Sequence, residues 1–263
     1  MKTTFLLRTA FAGVVRGLMA LCVLLILVAM THAVELKVVS GNGMRAILGN
    51  LTEDFERTTG HKLEIAYGIA GLMKDRIRTG EMADVAVMQR YLLDDLLQQG
   101  KIVRGSTIDI ARSPIGLFGR AGGPKPDVRS IEALRHALLE AKSITYTDPA
   151  DGGLSGTHFA RVLERLGIAE QMKPKTKLGR PGPRVVSGEV ELGIMQISEI
   201  LPFTGIQVIG RLPEQLQENT PVSAAVINGA HQPDAGMQLI KFLSSPVAAN
   251  TIKTYGMEPI EQR

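Results

Sequence analysis

Three times in this chain a short run of β-forming residues breaks at a small or hydroxyl residue followed by glycine, then opens a helical pattern. Leu36 to Val39 runs into Ser40-Gly41-Asn42-Gly43 and a helix from Met44. Leu63 to Gly68 turns at Ala70-Gly71 into a helix from Leu72, and Ile144 to Thr147 passes through Asp148 to Gly153 into Ser155-Gly156. Strands that alternate with helices through such short breaks point to a parallel sheet with helices on both faces. Each break also gathers unpaired backbone N–H groups and the positive end of a helix dipole into a small volume, which favours a bound anion or carboxylate. Glycine at the break lets a ligand come close to the backbone.

The periodicity fills in the rest of an α/β chain. Met44, Ile47, Leu48, Leu51 and Phe55 recur at helical spacing and end at Thr59-Gly60, as a helix with a glycine just past its C-terminus does. A helix from Leu72 to Thr79, a buried strand from Ala83 to Met88 and a helix from Tyr91 to Gln99 follow. Ser113 to Gly119 reads as a strand, Ser130 as the cap of a helix, Phe159 to Leu166 as a helical stripe, and the basic, proline-rich 173–183 segment as a loop. Strands are predicted at Leu192 to Ile197, Ile206 to Ile209 and Val222 to Ile227. Two C-terminal helices follow, the second opened by Ser245-Pro246. Two βα sets divided near residue 112 predict two lobes, each a mostly parallel sheet, with residues 34–112 and 220–263 in the first and 113–219 in the second. A chain that crosses twice in this way makes a hinge that closes on a ligand.

Lys2, Arg8 and Arg16 precede an uncharged run from Gly17 to Val34, the order of an export signal, with cleavage expected after Ala33. The run also approaches the length of a spanning helix, so an uncleaved anchor is the alternative. Those three cations account for most of the formal charge of +4: without them, 27 basic residues face 26 acidic ones, and the case for nucleic-acid binding disappears. The lone Cys22 lies inside the apolar run, so the exported chain carries no disulfide, as suits a bacterial periplasm.

Other chemistries find little support. Gly41-Asn42-Gly43-Met44-Arg45-Ala46 matches the dinucleotide pattern after a strand, but Glu64, the candidate ribose ligand, falls inside the next strand rather than at its end. Gly153-Leu154-Ser155-Gly156-Thr157 lacks the second glycine of a nucleophile elbow. His61, His136, His158 and His231 stand apart, without the close pairing or cysteines of a zinc site, so neither metal nor cofactor is expected. The absence of tryptophan argues against a sugar cleft.

At these residues the chain resembles the molybdate-type periplasmic substrate-binding proteins of ABC transporters, of the type II solute-binding fold. The likeness rests on 39–45 at the first break, Phe55 to His61 after the first helix, and Tyr67 to Leu72 at the second break. Ala83-Asp84-Val85, Asp148-Pro149-Ala150 with Ser155-Gly156, and Leu192-Gly193-Ile194 complete it. The resemblance implies an oxyanion held between two lobes by hydroxyls and backbone N–H groups, and an ABC permease as partner. Ser40 matches the family's first-break serine and Ser155 falls in its third-break loop; together with the rest of the breaks and two nearby cations, the expected ligand-binding set is Ser40, Gly41, Asn42, Arg45, Ala70, Gly71, Ser155, Gly156, Arg180 and Gln196. Ala70 stands where the family has a serine, and Gln196 where molybdate binders tend to have a tyrosine. Each lost donor costs about 1–3 kcal/mol for a buried dianion. Arg45, Arg180 and Arg184 would instead suit a carboxylate-bearing anion. The expectation is therefore a monomeric, periplasmic binding protein, not an enzyme, that delivers a small anion to a permease. An exported sensor, or less favourably an exported enzyme on the same scaffold, is the alternative.

Overall fold

The computed structural model describes residues 33–218 and 221–261, so the expected export signal lies outside the described residues. β1 (Glu35–Gly41) passes through a single 3-10 turn, Asn42–Met44, into α1 (Arg45–Thr59). The stripe Ile47, Leu48, Leu51 and Phe55 is buried, and Gly60 ends the helix at φ 77°. That left-handed conformation lets the last turn close without a Cβ clash. β2 (Lys62–Gly68), α2 (Ala70–Arg78), β3 (Val85–Gln89), α3 (Arg90–Gln98) and β4 (Ile108–Arg112) follow.

The middle of the chain forms β5 (Ile115–Arg120), α4 (Ile131–Glu140), β6 (Ile144–Tyr146), α5 (Leu154–Arg165), α6 (Ala169–Met172) and α7 (Pro181–Val186). It continues with β7 (Leu192–Gln196), α8 (Ile197–Ile200) and β8 (Ile206–Arg211). β9 (Pro221–Val226), α9 (Pro233–Leu243), α10 (Pro246–Thr254) and β10 (Glu258–Pro259) end it.

The strands make two sheets, ordered β10-β4-β9-β3-β1-β2 and β6-β7-β5-β8. Both are mixed rather than mostly parallel. β1 pairs parallel with β2 and β3, and β6 with β7; the other pairings are antiparallel. The sequence shows the parallel units because each carries its crossover helix. The antiparallel strands β4, β5 and β9 lie beside the passages from one sheet to the other, where strand leads to strand with no α-helix between, only the 3-10 turn Glu214–Leu216 before β9, so no local pattern announces their direction. The loop expected over 173–183 contains a 3-10 turn, Lys173–Lys175, and the start of α7 with Pro181 at its first position. Ser130 accepts from Ala133 N as a cap should, at 3.1 Å, whereas the Ser245 hydroxyl donates to the Phe242 carbonyl instead of capping α10.

Apolar side chains cover both faces of the first sheet. Leu36, Val38, Ile47, Phe55 and Leu239 pack on one side, and Val39, Met73, Ile77, Leu93 and Leu96 on the other. The second sheet is filled by Leu117, Ile144, Phe159, Val162 and Ile194 on one side and by Phe118, Val185 and Met195 on the other. Asp84, only 3% exposed, ties the first sheet together: its carboxylate accepts from Lys37 N and Gln232 N, both at 2.9 Å. At the crossings, Gln217 bonds both the N–H and the carbonyl of Ile115. The C-terminal ends of β1, β2 and β3 thus face those of β6 and β7 across a cleft.

Candidate functional site

Two connected chambers occupy that cleft. The smaller, about 40 Å³, is lined by Gly41, Asn42, Gly43, Ile69, Ala70, Gln89, Thr147, Gly153, Leu154, Ser155, Gln196 and Glu199. The larger, about 590 Å³, is lined on its polar side by Asn42, Arg45, Thr147, Asp151, Arg180, Ser198 and Glu199, and on its apolar side by Ile69, Met195, Pro202 and Phe203. Asn42, Ile69, Thr147 and Glu199 border both.

The donors come from helix starts. α2 follows Ile69 and α5 follows Gly153, and neither preceding residue caps its helix with a side chain. The first-turn N–H groups of both helices therefore have no intrahelical acceptor and no side-chain substitute. The lobes meet across these starts. A Cβ on Gly71 would lie 2.7 Å from both the Asp151 carbonyl oxygen and Gly152 Cα, and one on Gly43 would lie 2.7 Å from Gln196 Oε1. Glycine at both positions is what lets the two halves touch.

Of the residues expected to bind ligand, Gly41, Asn42, Ala70, Ser155 and Gln196 line the smaller chamber, and Asn42, Arg45 and Arg180 the larger. Ser40 lies beneath the chamber floor, fully buried, with its hydroxyl donating to the Gly41 carbonyl at 3.1 Å. Gly71 forms the lobe contact instead of a chamber wall. Gly156 packs α5 on the end of β6, where an added Cβ would come within 1.9 Å of the Thr147 carbonyl oxygen. Arg184, offered from sequence as a compensating cation, is held by the Gly179 carbonyl at 2.9 Å and by an ion pair with Glu189.

Arg45 sits 4.4 Å over the Tyr67 ring and donates to Asn42 Oδ1 at 3.2 Å, an arrangement that keeps its charge at the cavity mouth. The Arg180 side chain has no ion pair or hydrogen bond among the described residues, although its carbonyl accepts from Arg184 N at 3.2 Å, and it is the non-glycine residue among them with positive φ, 52°. Such backbone strain persists only where surrounding structure fixes it. Here Gly179 N donates to the Tyr146 carbonyl, and the Thr145 hydroxyl and Arg184 Nε donate to the Gly179 carbonyl.

The sequence reading missed Glu199, Gln89 and Thr147. Gln89 and Gln196 mark two further strand-to-helix breaks, β3 into α3 and β7 into α8, which share the topological position of the three glycine-marked ones but carry glutamine. Both side chains are nearly inaccessible and leave an Oε1 without a hydrogen-bond partner among the described residues. Glu199 is enclosed by protein but keeps some surface toward the chambers. Burial pushes its carboxyl up to about 7, against the hydrogen bond from Gln196 and the charge of Arg45, which both pull it down.

A family model described as bacterial extracellular solute-binding protein matches residues 36–258. Aconitate isomerase of a Pseudomonas species is 31% identical over 243 residues, covering 89% of this chain and 91% of that one. A molybdate-binding protein of Azotobacter vinelandii is 24% identical over 246 residues, covering 88% and 92%. The solved structure of the periplasmic molybdate-binding protein of Azotobacter vinelandii matches with a TM-score of 0.68 at 20% identity, over 87% of this chain and 100% of that one. The structural likeness is one of fold: two-lobed, type II. The isomerase overturns the expectation that the chain is not an enzyme, since a relative this similar along nearly its whole length is one. By the match over 36–258, the chain belongs to the bacterial extracellular solute-binding protein family.

Proposed function

We propose that this chain is an exported isomerase of a small unsaturated polycarboxylic acid of the aconitate kind, built on a solute-binding scaffold, with the inter-lobe cleft as its site. The observation that carries this is that two uncapped helix starts face the smaller chamber while the unpaired side chain of Arg180 borders the adjoining chamber of about 590 Å³. That volume lies within the roughly 300–1,000 Å³ of small-molecule pockets. One carboxylate would sit in the smaller chamber against the N–H groups of α2 and α5, where Ala70 and Gln196 leave few hydroxyls for a tetrahedral dianion. A second would meet Arg180 or Arg45 as a charge-assisted pair. Hinge crossings near 112 and 220 would let the lobes open for exchange of the acid.

The reaction itself needs one proton moved. Aconitate is a propene bearing three carboxylates, and its isomers interconvert when a C–H bond at one carbon beside the central carbon breaks, the double bond shifts, and a C–H bond forms at the other. Composition is unchanged. The intermediate anion spreads its charge over the flanking carboxylates, where positioned N–H donors and guanidinium groups stabilise it more than they do the starting acid.

Proton NMR of the purified chain with either aconitate isomer is the direct test. Both isomers are expected to drift to the same mixture. Arg180→Ala should raise KM at least tenfold and Arg184→Ala should leave it unchanged, because only the first side chain is free at the cavity. Capture for delivery to an ABC permease is a second reading, favoured by the small chamber at the helix starts. Tight molybdate binding in a calorimeter, with no interconversion of aconitate, would establish capture and exclude the isomerase.

A further inference from the structure

We infer that Glu199 is the catalytic base and acid of this isomerisation, taking the proton from one carbon of the bound acid and returning it to the other. The inference rests on the isomerase assignment above. Among the described residues that line the two chambers, the carboxylates are Glu199 and Asp151; no histidine, lysine, cysteine or tyrosine borders either space. The guanidinium groups of Arg45 and Arg180 hold their protons too tightly to exchange them. Asp151 belongs to the larger chamber alone, whereas Glu199 stands where the chambers join, beside the carbons of an acid whose carboxylates reach into both.

Its setting fits the task. α8 begins directly after β7 and packs on the 3-10 turn at Asn42–Met44 and on α1, so Glu199 is carried by one lobe and pressed against the other. Gln196 Nε2 donates to Glu199 Oε1 at 2.5 Å, while Oε2 has no hydrogen-bond partner among the described residues. One oxygen is thus fixed and the other left to meet a C–H bond. In the forward step that C–H bond breaks, an O–H bond forms on Glu199, and the electron pair delocalises across the three-carbon unit. The new double bond forms between the central carbon and the carbon that lost its proton, so its geometry is set by the conformation in which the cleft holds that initially single bond. Return of the proton to the opposite carbon restores the carboxylate and fixes the new double bond. No electron leaves the system. The charge that acts on Glu199 is that of Arg45, with Arg180 and Asp151 bordering the same chamber, and its balance near neutrality lets it act as base in one half of the cycle and acid in the other. Gln196 is a positioning residue for it.

Glu199→Gln keeps the shape of the side chain and its contact with Gln196. It is expected to bind trans-aconitate in a calorimeter within about threefold of the parent chain while losing at least 1,000-fold in kcat. Exchange of substrate C–H for deuterium in heavy water should disappear with it. In the parent chain kcat/KM should rise with pH through a limb near 7, where Glu199 loses its proton. Glu199→Asp, expected to keep between a tenth and a thousandth of kcat, reads the same role should the glutamine variant melt without cooperativity. A parent chain that isomerises aconitate while Glu199→Gln retains kcat within tenfold overturns Glu199 alone. So does a loss confined to Asp151→Asn. A parent chain that does not isomerise overturns both Glu199 and the isomerase assignment.

Discussion

Gly71→Ala is expected to weaken ligand binding by about 10–100-fold while leaving the ligand-free chain as stable as before, or slightly more so. In the closed arrangement the new methyl carbon would stand 2.7 Å from the Asp151 carbonyl oxygen and from Gly152 Cα. Both are backbone atoms, so no side chain can swing aside, and the strain is relieved only by parting the lobes. Forcing one such group into a tight contact costs about 1–3 kcal/mol, and each 1.4 kcal/mol is tenfold in affinity. In an open form the same methyl faces water, and alanine in a helix is better than glycine by about 1 kcal/mol. Calorimetry supplies the affinity and small-angle scattering the compaction on binding. An alanine variant that binds and compacts like the parent would show that the Gly71–Gly152 contact does not form in the ligand-bound state.

The second large effect concerns stability. Asp84→Ala should lower unfolding free energy by about 2–4 kcal/mol, because the N–H groups of Lys37 and Gln232 lose their buried acceptor together. For a chain of this size that corresponds to a fall in Tm of roughly 5–15 °C. Asp84→Asn retains one acceptor oxygen and should lose about half as much. The residue sits at the start of β3, at the far end of the sheet from the cleft, so affinity for the ligand should stay the same in whatever fraction is folded. A thermal melt of both variants settles the size of the effect. A shift under 1 °C for alanine would mean that water replaces the carboxylate at no loss.

The Asp84 case shows how the sequence carries its information. Ala83-Asp84-Val85 marks the resemblance to periplasmic binding proteins, yet its aspartate works as a structural knot, well away from the ligand. The βα alternation of the first hundred residues was legible because helical stripes such as Ile47, Leu48, Leu51 and Phe55, and stops such as Gly60, are local signals. Strand direction in β4, β5 and β9 was not, because it depends on partners up to more than a hundred residues away. Within the site, the glycine-marked breaks advertise themselves by conformation. Gln89 and Glu199 do not, because a glutamine or glutamate after a strand reads as an ordinary polar residue until the fold turns it inward; Gln196 is found only because it stands where the resembled family tends to have a tyrosine. Ser40 is the converse case: a hydroxyl at the first break fits the family pattern, but its oxygen is turned to the Gly41 carbonyl.

The order β10-β4-β9-β3-β1-β2 sets when this protein can be finished. β3 and β4 never touch; both lean on β9, which is synthesised after the entire second sheet. Until residues 221–226 arrive, the first sheet is a three-stranded ribbon and a lone strand with raw edges, missing the plank that joins them. Zippering must await closure over more than a hundred intervening residues, which is slow. A polypeptide threaded through a membrane from its N-terminus would therefore stay pliable for most of its passage and lock only when its last fifth had emerged.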